Sequence, residues 1–250
     1  MSIKVATKYQ ISEYIKSIKI FYLVIVLVMV LFGTLTIFNS SSSFTSTGGI
    51  EGSAMIFLFI LGLNSFKETF LMMLQNGTTR KSMFIGRLIT ILVTSAFMAV
   101  VDRFVVNVGG LINTINENYY LNGMYEMIFQ SRVKSLHIVV MNLEAIIITI
   151  GVYAAAMVAG YFITTAYYRM SKMLKIVVSI GVPTSLMILL PVLDSTLFGG
   201  KVSVALGRFF GFVFGGKTGN PYNLLISCIL FSIVGIGLSW LLIRKAVEKN

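Results

Sequence analysis

The stretch Ile20–Phe38, IFYLVIVLVMVLFGTLTIF, carries no charge and no proline. A helix needs about 20 apolar residues to cross the hydrocarbon layer of a bilayer, and this run supplies them. Its apolar residues do not alternate with polar ones, so it does not read as a strand of a membrane β-barrel. Five further runs follow: Ala54–Leu74, Ile85–Val106, Ile138 to about Thr165, Ile176–Leu193 and Asn223–Ile243. The fourth is long enough to tilt or to break near Gly151 or Gly160, and the fifth is interrupted by Pro183 and Pro191. The expected fold is an all-α integral membrane protein of six transmembrane helices. Composition agrees, with 56% hydrophobic and only 12% charged residues in a chain of 250.

Charge gives the gaps a side. One alternating set of gaps holds Lys4, Lys8, Lys16, Lys19, Arg80, Lys81, Arg87, Arg169, Lys172, Lys175, Arg244, Lys245 and Lys249. The other holds Arg103, Arg132, Lys134, Lys201, Arg208 and Lys217, and Lys67 falls within a span. Lys and Arg stay on the cytoplasmic side, so both termini are expected there, in a multi-pass protein of the cell membrane. The net charge of +11 reads as this asymmetry, because no stretch is long and polar enough to present a nucleic acid with a folded basic face. The one cysteine, Cys228, excludes an intrachain disulfide and leaves redox compartment open. Asn39-Ser-Ser-Ser-Ser does not look like a signal-peptide cleavage site.

The chain divides into residues 1–19 and the transmembrane domain 20–250. In the first segment Ile11, Tyr14, Ile15 and Ile18 share one helical face, while Lys8, Lys16 and Lys19 fall elsewhere on the wheel. That pattern suits an amphipathic helix on the cytoplasmic surface; a ragged basic tail is the plainer alternative. Outside, Asn39–Ser53 is a Ser/Gly/Thr-rich loop, and Leu111–Leu136 carries Tyr119, Tyr120 and Tyr125, expected at headgroup level. Phe198–Tyr222 is rich in Gly and Phe and is a candidate re-entrant segment.

Enzymatic motifs do not survive inspection. Gly211–Thr218 matches G-x-x-x-x-G-K-[ST], but that loop needs a strand before it and a helix after it, and Pro221 follows at once. His137 is the single histidine, and there is no H-E-x-x-H pair, so no metal site, cofactor or catalytic residue is expected. Asn39-Ser-Ser and Asn76-Gly-Thr fit the glycosylation tripeptide, a short pattern common by chance.

Two groups of residues are candidate functional sites. Glu68, Asp102, Arg103 and Glu144, with Lys67, are charges inside predicted spans, where each should face protein, water or a partner. Glu144 lies ~9 Å inside its span by helix rise, at a depth matching Arg103. An Arg103–Glu144 pair is therefore expected, either orienting helices or lining a substrate or proton path. The second group is Met73-Leu-Gln-Asn-Gly-Thr-Thr-Arg-Lys-Ser-Met-Phe-Ile-Gly-Arg87, between spans two and three. Asn76-Gly77 signals a turn, Thr78 or Thr79 can cap a helix, and Arg80 and Lys81 project from its first turn. The residues fit equally a short capped docking helix and an ordinary basic turn.

This motif, Asn76-Gly77-x-x-Arg80-Lys81-Ser82 followed by Phe84-Ile-Gly-Arg87-Leu, resembles the permease subunits of type 2 ABC exporters from Gram-positive bacteria. Length, six spans, cytoplasmic ends and an N-terminal surface helix are similar too. The resemblance implies a subunit without an ATPase site of its own, paired with a second copy or a sister permease and driven by separate ABC ATPase subunits. It implies that Gly77, Thr79, Arg80 and Lys81 form the coupling element that contacts the ATPase, and that the cargo is a hydrophobic or amphipathic peptide, toxin or drug. The long segment 107–136 and the Gly/Phe-rich outer loop depart from the family pattern, so the transport path does not carry over. The rival is a non-transporting immunity or sensor subunit that binds a peptide or a partner protein. A secondary transporter would be expected to show inverted repeats, and none is visible.

Overall fold

The computed structural model describes residues 3–38, 45–113, 119–215 and 219–244. Helix α1 spans Ile3–Phe38, followed by strand β1 (Thr45–Gly48), α2 (Ile50–Asn64), α3 (Lys67–Gln75) and α4 (Arg80–Asn113). Strand β2 (Tyr119–Asn122), α5 (Met124–Ile128) and α6 (Gln130–Val133) precede α7 (Ile138–Arg169). The chain closes with α8 (Lys172–Thr184), a π-helical segment Ser185–Leu189, α9 (Leu190–Leu197), α10 (Lys201–Val213) and α11 (Pro221–Arg244). Five helical stretches are long and apolar enough to cross a membrane, and the bent pair α2–α3 makes a sixth. This is an all-α, multi-pass membrane protein. Among the described residues the only sheet is the short parallel pair β1–β2, with Thr45 opposite Tyr119.

The packing is inverted relative to a water-soluble bundle, as lipid solvation demands. Leu23, Val26, Leu27 and Leu92 are exposed, whereas Gln10, Thr90, Ser95 and Asp102 are fully buried. Helix α7 is the central post, flanked by α2, α11 and α4, while α1 lies along α4. Its contact with α2 depends on two glycines. A Cβ on Gly62 would sit 2.4 Å from the Met157 carbonyl oxygen, and one on Gly160 would sit 2.3 Å from that of Phe59. The two backbones touch, which only small residues allow. Gly160 therefore packs a span and does not break it; α7 runs unbroken for 32 residues.

The break occurs in span two instead. Helices α2 and α3 meet at 42° across Ser65-Phe66. Lys67 and Glu68, expected as charges inside the second span, stand at its break and are exposed. The first nineteen residues also differ from the expected picture in detail, for residues 3–38 form one helix. Ala6, Thr7, Gln10, Tyr14 and Ile18 make its buried stripe, and Ile15 is exposed. Gly86 of α4 fits closely against Ala6 and Thr7, and Thr69 donates to the Glu13 carboxylate at 3.0 Å.

In span five the prolines bend the hydrogen-bond ladder without ending the helix. The π segment lies between Pro183 and Pro191, and Thr184 and Ser185 donate to the carbonyls of Ile180 and Val182 at 2.7 and 2.9 Å. From Lys172 to Leu193 no residue is buried. The candidate re-entrant segment Phe198–Tyr222 contains helix α10. Asp194 caps it, accepting from the backbone N–H groups of Val202 and Ser203 at 2.8 and 2.7 Å.

Candidate functional site

The expected docking turn is formed by chemistry the sequence spells out. Asn76 ends α3, Gly77 takes a φ of 70°, and its N–H donates to the Leu74 carbonyl at 2.9 Å. Thr78 N–H returns to the Met73 carbonyl at 2.9 Å, closing the helix end around a left-handed glycine. Thr79 then starts α4, its hydroxyl oxygen accepting from the Ser82 N–H at 3.2 Å. There is no separate short helix after the turn: Thr79 caps the start of the long span α4 itself. Gly77, Thr79 and Lys81 are exposed, and Arg80 is partly buried. Arg80 Nη1 donates to the Arg244 carbonyl at 3.0 Å, placing a cation on the C-terminal end of α11.

Beneath this turn lies a residue that the sequence placed among the basic gap residues and at the end of the docking stretch, with no sign of a buried role. Arg87 is 2% exposed. Its guanidinium bonds Tyr14 Oη of α1 and donates at 2.6 Å to the Ser65 carbonyl, at the break between α2 and α3. The Tyr14 and Tyr161 rings flank it at 5.4 and 6.0 Å. A break frees backbone groups that lipid cannot satisfy, and here a buried cation takes one of them. Charge alone did not reveal this, because Arg87 sits among loop cations; the signal available was its place two residues inside the apolar run Ile85–Val106.

The predicted charges at the other end do gather, but with different partners. Arg103 pairs with Glu126 at 2.6 Å and donates from Nε to Asn142 at 2.7 Å. Glu144 pairs with Arg132, at 2.7 and 2.9 Å from its two oxygens. The expected Arg103–Glu144 pair is thus corrected: matching depth is not contact, and the intervening segment 124–133 supplies a nearer opposite charge to each. Glu144 also accepts from Tyr125 and Tyr222 hydroxyls, each at 2.7 Å. This carboxylate holds the Arg132 guanidinium protonated more firmly than usual. Burial first, then donation to Glu144, pushes the Tyr125 phenol up to about 12. Tyr125 is buried at the network; the side chains of Tyr119 and Tyr120 lie outside the described residues.

Asp102 is fully buried and accepts from Tyr22 Oη at 2.9 Å and Tyr153 Oη at 2.5 Å. Tyr153 also reaches the Glu51 backbone carbonyl at 3.3 Å, and the Glu51 carboxylate takes the Met124 N–H. Glu51, Glu126 and Arg132 are functional candidates the sequence did not single out, since each lies in or beside an outer loop without periodicity. Alongside, an apolar groove of about 530 Å³ opens between α2, α7 and α11, lined by Met55, Phe59, Phe214, Cys228 and Phe231 among others.

The nucleotide-like run Gly211–Thr218 begins inside helix α10, where a phosphate loop would follow a strand, and residues 216–218 lie outside the described residues. His137 caps α7, its Nδ1 accepting from Val139 N–H at 3.4 Å. Asn76 Nδ2 donates to the Met72 carbonyl at 2.8 Å, and Asn39 lies outside the described residues. Comparison with protein-family models, with curated proteins and with solved structures finds no match to this chain.

Proposed function

We propose that this chain is the membrane-spanning permease subunit of an ATP-driven ABC exporter, energised by separate ATPase subunits. The observation that carries the reading is the turn Asn76–Lys81. It is exposed at its tip and rigidly capped, and it continues directly into two membrane elements, the kinked span α2–α3 and the long span α4. A push on such a turn moves helices, because Arg87 and Gly86 tie its flanks to α1 and to the break. Gly77, Thr79 and Lys81 are its contact residues. Arg80 serves the α11 terminus as well, so its loss weakens the bundle end along with any docking.

The turn shares its end of the bundle with the N-terminal part of α1, the C-terminus of α11 and Tyr168 at the end of α7, whose ring meets Phe66 and Phe70. Most Lys and Arg belong to this end, which supports placing it in the cytoplasm, where an ATPase would be. The unburied stretch 172–193 leaves a long face for lipid or a second permease copy. The apolar groove suits a hydrophobic or amphipathic cargo, and equally a lipid chain.

The test is co-expression with candidate ABC ATPase subunits and measurement of ATP turnover in any complex that purifies. Lys81→Glu combined with Thr79→Glu is expected to lower turnover at least several-fold while membrane insertion is kept. A stable complex with unchanged turnover contradicts a coupling role, and a chain that purifies without any ATPase favours the immunity or sensor reading.

A further inference from the structure

The network at the outer end holds more carboxylates than cations. Glu51 is 2% exposed and Asp102 fully buried; Glu126 packs beside them. Among the described residues one guanidinium, Arg103 at 3% exposure, is paired within this group. The surrounding groups are Tyr22 from α1, Asp102 and Arg103 from α4, Glu126 from α5, and Asn142 and Tyr153 from α7. Tyr125 of α5 turns the other way, toward Arg132 and Glu144, which satisfy each other.

Two hydroxyl donors fit Asp102 as an ionised carboxylate, one on each oxygen. Glu126 Oε1 lies 2.6 Å from Arg103 Nη2. Three atoms are then left facing one another: Glu51 Oε2, which takes only the Met124 N–H, and Glu126 Oε2 and Arg103 Nη1, which are buried without a hydrogen-bond partner. They converge beside Gly123. A Cβ there would lie 2.4 Å from Glu126 Oε2 and 3.3 Å from both Glu51 Oε2 and Arg103 Nη1, so only glycine leaves them room.

We propose that Glu51 and Glu126 together bind one exchangeable proton, in a site closed by Arg103 and Gly123. Full ionisation would set three negative charges, Glu51 and Asp102 buried and Glu126 half-buried, against one positive, and two carboxylates in one site share a proton in preference to both ionising. The proton belongs to the pair and not to either residue alone. A metal ion is the poorer ligand: a guanidinium nitrogen stands in the site, and no cluster of ligating side chains forms among the described residues. Because α1, α2, α4, α5 and α7 all contribute groups, the site senses how these elements are packed. It does not depend on the transport reading.

Infrared spectroscopy of the full chain in lipid nanodiscs, titrated with pH in H2O and D2O, tests this. A protonated-carboxyl C=O band is expected at neutral pH, shifting in D2O and titrating away at higher pH. Glu51→Gln and Glu126→Gln should each abolish it, because the carboxylate that remains then has Arg103 to itself. Glu68→Gln, at an exposed position, should leave it intact. Absence of the band in the unmodified protein overturns the proposal without any variant, and so does its survival in either single substitution.

Discussion

Glu144 shows how a residue can be recognised and its partner missed. Its burial was legible, because a carboxylate two turns into an apolar run must find a cation or cost several kcal/mol. Its partner was not, because Arg132 lies in a segment without helical or strand periodicity, where sequence gives no spatial register. The two ion pairs are separate, and that separation is measurable. Arg132 keeps nearly a third of its side chain exposed, so the pair should couple by only about 1 kcal/mol. A double-mutant cycle of Glu144→Gln with Arg132→Gln on thermal stability, under reversible unfolding, is expected to show that coupling. The same cycle with Arg103→Gln should be additive, and an interaction there as large as with Arg132 would contradict the observed pairing. Arg87 makes the complementary point: its charge was counted, yet its role as a partner for the Ser65 carbonyl depends on a break the sequence did not announce.

At the scale of elements, each helical stretch among the described residues that is long and apolar enough to cross a membrane coincides with a hydropathy run, since lipid makes apolar length nearly sufficient to specify a crossing. It did not locate the kink between α2 and α3, which falls at Ser65-Phe66, ahead of Lys67, where no proline marks it. Conversely, the glycines suspected of breaking span four pack it. Gly160→Ala should force a methyl against the Phe59 carbonyl and cost about 1–3 kcal/mol, while Gly181→Ala, which meets nothing within 4 Å, should be neutral or slightly stabilising. Thermal denaturation of the two variants in one detergent checks this. Equal melting temperatures would mean that α2 and α7 do not touch as closely as described. The cap at Thr79 was legible for a different reason: Asn-Gly followed by Thr-Thr is turn and cap chemistry that acts within a few residues.

For the whole molecule, the two ends differ in kind. One gathers the capped turn, the helix termini and most of the basic residues; the other gathers the buried networks around Asp102 and Glu144. Chain direction places them so, and the proposed topology, resting on the basic count, has the first end facing the cytoplasm. Single cysteines at Ser171 and Ser135, in a chain with Cys228→Ala, should label differently with an impermeant thiol reagent added outside. The Ser135 position is expected to react and the Ser171 position not, and the reverse pattern would invert the topology. The most direct test of the account is a photo-crosslinking residue placed at the exposed Thr79 position in intact membranes, followed by identification of what it captures. The account predicts a cytoplasmic ATP-binding subunit, with capture changing when nucleotide is added. Capture of lipid alone, or of a partner that binds no nucleotide, would contradict it.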